Sequence, residues 1–355
     1  MKVFKTILVQ LFTGINIATV LLLWTCCAVT YFNPAVHPRL SLFTLTFPAF
    51  LLVNVLFIFF WLIFKVKRVW IPLAGMALCG SFVRDYIPVN WLSAAPDSAL
   101  TILSYNTNGF GSYGAKTERQ PDAQARIQQC LLSAAADIIC LQEAQEKDAI
   151  IQALADEGYQ HYYNSELLIF SRLPILSADT LPMYTRRNHC VRAFLLQGAD
   201  TVMLINQHLE SNRLSPEVKA AYREALQRPD RDSLREDLRP MLDLLTAASP
   251  YRAQQTDSIL RIVREWLPRP LVLCGDFNDT PVSYTHRVLT SALTSAFCES
   301  GNGLGFTYHE KGFPVRIDHI LFDGDTWRSY QTHVIDTISS SDHYPILTKL
   351  ARRSH

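Results

Sequence analysis

Residues Leu271–Asn278 read LVLCGDFN: four apolar side chains, a glycine, then a carboxylate and an amide two positions apart. The apolar run is short and bounded by Gly275 and Pro281, which is the pattern of a buried strand. Such a strand delivers Asp276 and Asn278 just past its end. Working outward, the same form returns at five more places. ILSYN ends at Asn106, DIICLQE at Glu143 and VMLINQH at His208. Asp318 and His319 interrupt VRIDHILF, and Asp342 with His343 precedes YPIL.

Helical spacing lies between these runs. Asp122–Ala135 places Ile127, Leu131 and Ala134 on one face, a polar helical stretch covers about 216–248, and a better helix runs over Gln254–Trp266. Further strands are expected at Leu167–Phe170, Arg192–Gln197, Thr201–Gln207 and Ile346–Leu350. Strands mixed with helices indicate an α/β (α+β) layered domain with sheet at its centre, over residues 98–355. Residues 213–250, charged and broken by Pro229 and Pro240, read as an insertion. In a layered sheet, strand ends of this kind gather at one edge and make a single site.

Taken singly, an asparagine after a strand is a turn residue and a glutamate is a helix cap. The joint pattern says more. Six strand ends supply oxygen or imidazole groups and no thiolate, a donor set suited to a hard cation such as Mg²⁺, with Mn²⁺ as the alternative. Two Asp-His pairs add the orienting carboxylate and imidazole expected where water is activated. Asp279 carries no role in this reading.

The ordered set SYN, QE, NxHL, GDFN, RIDHIL and SDHYP resembles the endonuclease/exonuclease/phosphatase superfamily over about Leu100–Leu350. LLIFSRLPI and Ser283 are smaller echoes of it. The resemblance implies a four-layer α/β sandwich of two packed sheets flanked by helices, and divalent-metal-dependent hydrolysis of phosphoesters. It implies Glu143 as the principal metal ligand, with Asn106 near metal and phosphate and Asp342 as a second metal-side ligand. Asp276 and Asn278 would position the attacking water and contact the phosphate. His343 would sit at the scissile phosphate with Asp318 as its orienting carboxylate, and His208 would donate to a phosphate oxygen. His319 is assigned no chemistry.

The N-terminal part differs in kind. Seven of the 33 basic residues but only one of the 32 acids, Asp85, fall in residues 1–95, leaving 26 and 31 for the rest. Such asymmetry excludes a soluble single domain for the first part. Uncharged runs at about 7–32 and 40–64 each exceed the roughly 20 residues a helix needs to cross a bilayer. A third run, 69–83, holds Pro72, Gly75 and Gly80 and is short for a span. Residues 1–92 are therefore expected to form a membrane anchor. Lys65, Lys67 and Arg68 place their end of the second span in the cytoplasm. If the third run crosses, the catalytic domain lies outside the cytoplasmic (inner) membrane; if it does not, the domain is cytoplasmic. The reading adopted is the multi-pass anchor with an extracytoplasmic domain. Eight cysteines without CxxC or Cys/His spacing indicate neither a disulfide framework nor a zinc site.

The expected partner is a phosphoester, nucleic acid or phospholipid headgroup, with nuclease-like hydrolysis as the first reading. A lipid or headgroup phosphodiesterase is the alternative, and a catalytically silent membrane-anchored module is the third. The domain's acidic balance and its lack of a basic stripe weaken the nucleic-acid reading. The loops at 109–117 and 181–188 and the 213–250 insertion match no particular subfamily. Nothing in the sequence points to a protein partner.

Overall fold

A computed structural model describes residues 2–112, 122–183, 189–227, 231–310 and 313–353. Pro229 and most of the 109–117 and 181–188 loops lie outside the described residues. The domain is built on two mixed six-stranded sheets. The first contains β1 (Leu100–Asn106), β2 (Ile138–Gln142), β3 (Gln160–Asn164), β4 (Leu167–Ser171), β11 (Trp327–Val334) and β12 (Ile346–Arg352), in the order β11-β12-β1-β2-β4-β3. The second contains β5 (Ile175–Thr180), β6 (Cys190–Gln197), β7 (Asp200–His208), β8 (Leu271–Asp276), β9 (Thr294–Ser295) and β10 (Asp318–Phe322), in the order β5-β6-β7-β8-β10-β9. Strands β1 and β2 are parallel, as are β7 and β8; the other pairs are antiparallel.

Period-two alternation assigns each strand's side chains to two cores. Ile102, Ile138, Cys140, Leu204, Val272, Cys274, Ile320 and Phe322 meet between the sheets. The alternate residues Leu103, Ile139 and Leu141 face outward onto Ile127 and Leu131. Those two belong to the helix Ala123–Ala134. On the other side Met203, Ile205, Leu273 and Leu321 pack on Ile259 and Val263. The result is the four-layer sandwich, helix, sheet, sheet, helix.

Ten helices are used below. The anchor supplies α1 (Lys2–Val29), α2 (Phe47–Phe64), α3 (Trp70–Leu78) and α4 (Gly80–Tyr86). The domain supplies α5 (Ala123–Ala134), α6 (Asp148–Asp156), α7 (Pro216–Gln227), α8 (Arg231–Trp266), α9 (Tyr284–Thr290) and α10 (Ala296–Ser300). Of the polar stretch expected over 216–248, Pro216–Gln227 forms α7, and the part from Arg231, expected to be broken at Pro240 and separate from the Gln254–Trp266 helix, runs through Pro240 into that helix as one α8. Pro250 lies inside it without breaking it, because the carbonyl left free by its missing N–H, that of Thr246, accepts from Ser249 Oγ at 3.0 Å.

Two helical stretches, Val3–Val29 and Pro38–Phe64, are long and apolar enough to cross a membrane. Asn16, Asn54 and Trp61 join them by buried hydrogen bonds of 3.1 and 2.9 Å. The third run is a bent pair: α3 and α4 meet at 74°, where Cys79 leaves helical geometry before Gly80. It follows α1 from end to end. Arg68 donates to Val9 O, Trp24 to Gly75 O, and Phe82 and Tyr86 contact Tyr31 and Phe47. Lys65–Arg68 and the domain therefore lie at opposite ends of the helical bundle.

The segment 90–98 is not a free tether at its start. Asn90 donates to Cys298 O and Gly301 O, and Arg316 donates its guanidinium to Asp85 O, Tyr86 O and Leu304 O. Arg287 reaches Thr30 O, and Val282 of the domain is buried with Leu23, Cys27, Phe47 and Cys79. Anchor and domain share a core. All eight cysteines are free thiols.

Candidate active site

The inter-sheet face that carries Ile102, Ile138, Leu204, Cys274 and Ile320 runs out at one edge, and there the side chains in phase with it turn polar. They are Asn106, Gln142, Asn206, His208, Asp276 and Asp318. Strand pairing sets them side by side: Asn106 opposes Gln142, and Asp276 opposes both His208 and Asp318. Gln142 donates to Asn206 at 2.8 Å and Asn206 donates to Leu141 O at 3.0 Å, so the two sheets are stitched together under the site. Asn206, part of the NxH motif, is thus structural.

Glu143 and Asn278 lie one step beyond the strands and reach the site through left-handed backbone, φ 47° and 50°. Such conformations cost of order 1–3 kcal/mol each and persist where surroundings enforce them. Here Gly109 N–H binds Glu143 O and Thr107 N–H binds Gln142 O, while Asp276 Oδ1 accepts Asn278 N–H at 2.7 Å. Asn278 Nδ2 also donates to Leu209 O at 3.0 Å.

Asn106 sits at the middle. Its Nδ2 donates to Glu143 Oε1 and to Asp276 Oδ2, both at 3.0 Å, and its oxygen accepts Asn108 N–H. Asp276 Oδ2 lies 3.8 Å from the Nε2 atoms of both His208 and His343. Behind each imidazole stands a carboxylate. Asp318 Oδ2 is 2.8 Å from His343 Nδ1, and Glu166 Oε1 is 2.9 Å from His208 Nδ1. Thr307 Oγ1 accepts the backbone N–H of Asp318, and Ser341 Oγ that of His343.

The charges follow from these contacts. Burial alone would depress His343, but Asp318 and Asp276 outweigh it and raise it to about 10. Burial likewise opposes the rise of His208, which Glu166 foremost lifts to about 9. Burial, then the Asp318 carboxylate, pushes Asp276 up to about 6. Two cationic donors and a proton acceptor face one gap.

All the residues singled out from the sequence come together here; Glu143, Asp276, Asn278, Asp342 and His343 line one cleft. Asn106 turns its NH₂ group, not its oxygen, to the carboxylates. His319 sits behind the site, its Nε2 3.1 Å from Asp279 O and its ring against Phe277 and His286. Asp279 is not idle: it faces Arg252 at 3.6 Å and accepts from Thr285 at 2.9 Å. Glu166 was missed because it stands before a strand, not after one. Strand β4 runs antiparallel to β2, so its beginning lies beside the end that delivers Glu143.

The donor set suits a divalent ion. Ligand atoms of Asp276, Asp318 and His343 lie within 4.8 Å of one another, a set that closes on an ion only with His343 unprotonated, and Asp318 Oδ1 is buried without a hydrogen-bond partner. Glu143 adds a carboxylate on the accessible side of Asn106. Hard oxygen donors with no thiolate fit Mg²⁺ or Mn²⁺.

Compared with known families, residues 103–343 match the model of the endonuclease/exonuclease/phosphatase family. The chain belongs to that family. Residues 9–86 match a domain of unknown function, DUF8431. Among solved structures, the human nocturnin catalytic domain with bound sulfate is similar at TM-score 0.53 and 15% identity, covering 72% of this chain and 95% of that one. A family member from Bacteroides vulgatus gives 0.52 and 16%, with 72% and 100% covered. ANGEL2, a 2′,3′-cyclic phosphatase in complex with adenosine-2′,3′-vanadate, gives 0.52 and 15%, with 74% and 99% covered. At these identities the likeness is one of fold. A search of curated proteins finds no match.

Proposed function

We propose that this chain is a membrane-anchored, divalent-metal-dependent phosphoesterase that cleaves phosphodiester or phosphomonoester bonds by attack of water at phosphorus. The observation that carries this reading is Asp276 Oδ2 set 3.8 Å from two carboxylate-backed imidazoles. A cation held by Glu143, with Asp342 and Asn106 beside it, would neutralise charge on the phosphate. Asp276, ionised above about pH 6, orients a water and accepts its proton. His343 and His208 stay protonated and donate Nε2–H to the phosphoryl oxygens as negative charge accumulates there. Asn106 holds Glu143 and Asp276 at a fixed separation, and Asn278 sits beside them.

Three passes of the anchor, with Lys65–Arg68 inside and the domain on the other face, are the proposed topology; the contacts of Gly75 with Trp24 and of Phe82 with Tyr31, beside α1, support it. The inner membrane with an extracytoplasmic domain is the location this supports.

Full-chain protein in detergent, with Mg²⁺ and bis(4-nitrophenyl) phosphate, tests the chemistry. Asp276→Ala should lower the rate by about 10²-fold or more without rescue by metal. Glu143→Ala should be partly restored by higher Mg²⁺. No cleavage of bis(4-nitrophenyl) phosphate or of the monoester 4-nitrophenyl phosphate by the wild type with Mg²⁺ or Mn²⁺, or cleavage untouched by both substitutions, refutes the proposal.

A further inference from the structure

The catalytic cleft does not open only between domain loops. One of its walls is the anchor. The cavity, about 420 Å³, is lined by Glu143, Asp276, Asn278 and His343 and also by Ser41, Leu42, Thr44, Leu45 and Pro48. These five residues lie in the segment that enters α2, so Pro48 belongs to a helix long and apolar enough to cross a bilayer. Met241 and Leu245 of α8 extend the same apolar wall. The gap between the imidazoles is therefore continuous with the level at which α1 and α2 leave the bundle.

That level carries an apolar rim. Tyr31, Phe43, Leu45, Val89, Trp91 and Leu92 are all exposed, Trp91 at 97%. Tyr31, Phe43 and Leu45 lie in the connection from α1 to α2, and Val89, Trp91 and Leu92 in the segment from α4 to the domain; tyrosine and tryptophan are enriched at membrane interfaces. Leu45 belongs both to this exposed apolar surface and to the lining of the cleft, so the two meet there.

The charges of the cleft point the same way. A polyanion would call for unpaired cations along its path. Here Arg213 pairs with Glu210 and Arg252 with Asp279, while Lys219 shares Glu310 with Arg223, so every one of these lining cations already faces a carboxylate and a single net positive charge remains.

We propose that the substrate is a bilayer lipid with a phosphate ester in its headgroup, admitted laterally between the 41–48 segment and α8. This rests on the phosphoesterase reading above and deepens it. The phosphorus sits between Asp276 and the two imidazoles while the proximal acyl or glycerol carbons lie along Leu42, Leu45, Met241 and Leu245. Water adds its OH to phosphorus, the P–O bond to the departing alcohol breaks, and the second water proton ends on the departing oxygen. Tethering the site at the surface that holds its substrate also raises the local substrate concentration.

The test uses the full chain reconstituted in phosphatidylcholine vesicles carrying phosphatidylglycerol, phosphatidic acid or phosphatidylinositol 4-phosphate, with Mg²⁺. Products are followed by ³¹P NMR. The dihexanoyl forms of the same lipids, bis(4-nitrophenyl) phosphate and a single-stranded oligonucleotide run in parallel. At least one long-chain lipid should be cleaved about tenfold faster than its dihexanoyl form, which lacks most of the apolar contact. In Leu42→Asp/Leu45→Asp that ratio should fall towards one. Leu42→Asn, a milder change, should lower it in the same direction if the double variant does not fold. Equal rates for long and short chains, a ratio indifferent to the substitutions, or faster cleavage of the oligonucleotide than of every lipid overturns the lipid assignment while leaving the phosphoesterase standing. Failure on bis(4-nitrophenyl) phosphate and 4-nitrophenyl phosphate as well overturns both.

Discussion

Gly275 precedes Asp276, the proposed base, and its replacement by alanine tests how closely the two sheet strands at the site are set. Its φ is 137°, a region that L side chains rarely adopt, and an added Cβ would lie 1.9 Å from Gln207 O and 2.8 Å from Gln207 C. Atoms of this kind do not approach within 3.0 Å, so β8 must part from β7 by about 1.1 Å. Backbone strain of about 1–3 kcal/mol and overpacking of about 1–3 kcal/mol together predict a loss of about 2–6 kcal/mol. For a domain of this size that lowers Tm by on the order of 10 °C. The chemical consequence is separate. Asp276 follows directly and is tied to β7 through Leu209 N–H on its carbonyl, so the shift reaches the carboxylate that faces His208. A displacement of about 1 Å at a reacting group costs about 10²-fold in rate. Thermal unfolding by tryptophan fluorescence and the rate of bis(4-nitrophenyl) phosphate hydrolysis measure the two effects. A Tm drop below about 2 °C together with a rate within about twofold of wild type would refute the reasoning.

Asp279→Ala should lower stability by about 3 kcal/mol, because Arg252 stays buried without its carboxylate, and urea unfolding will show it. His286 is buried, and burial holds it down to about 4, so it is neutral when folded and takes up a proton on unfolding below about 6.5. Stability should thus fall by up to about 3 kcal/mol as pH drops from 6.5 to 4, and His286→Gln should flatten that slope in denaturant titrations at several pH values. Alkaline phosphatase fused after Ser98 should be active in the periplasm; an inactive fusion beside an active cytoplasmic reporter at the same junction reverses the topology. Removing residues 1–94 should make the domain aggregate, since it uncovers Val282 and takes from Arg316 the carbonyls of Asp85 and Tyr86; a monodisperse truncated domain contradicts the shared core.

Strand β8 shows why so much of the site was legible in one dimension. A strand buried on both faces must be apolar along its whole length, so a carboxylate or amide at its end stands out against the run. The same holds for Asn106, Glu143, His208 and Asp318. Strands β3, β5 and β11 were not foreseen. Gln160–Asn164 and Ile175–Thr180 lie toward the sheet edges with half-exposed faces, and their polar residues hide the alternation.

By itself the sequence determined the inventory: two apolar helices, a layered domain of apolar strands mixed with helices, and a set of oxygen and imidazole groups at the strand ends. Local periodicity and composition carry that information, because side-chain direction and bilayer length depend on neighbours along the chain. Only the tertiary structure decided which groups touch. Glu166 became the partner of His208 through antiparallel pairing, and Asp279 became the counter-charge of Arg252. The bond from Arg316 to Asp85 closes a separation of 231 residues, and Leu42 and Leu45 came to line the same cleft as Glu143, Asp276 and His343, more than 90 residues away. Contacts across such distances depend on how layers stack and twist, which no local pattern encodes.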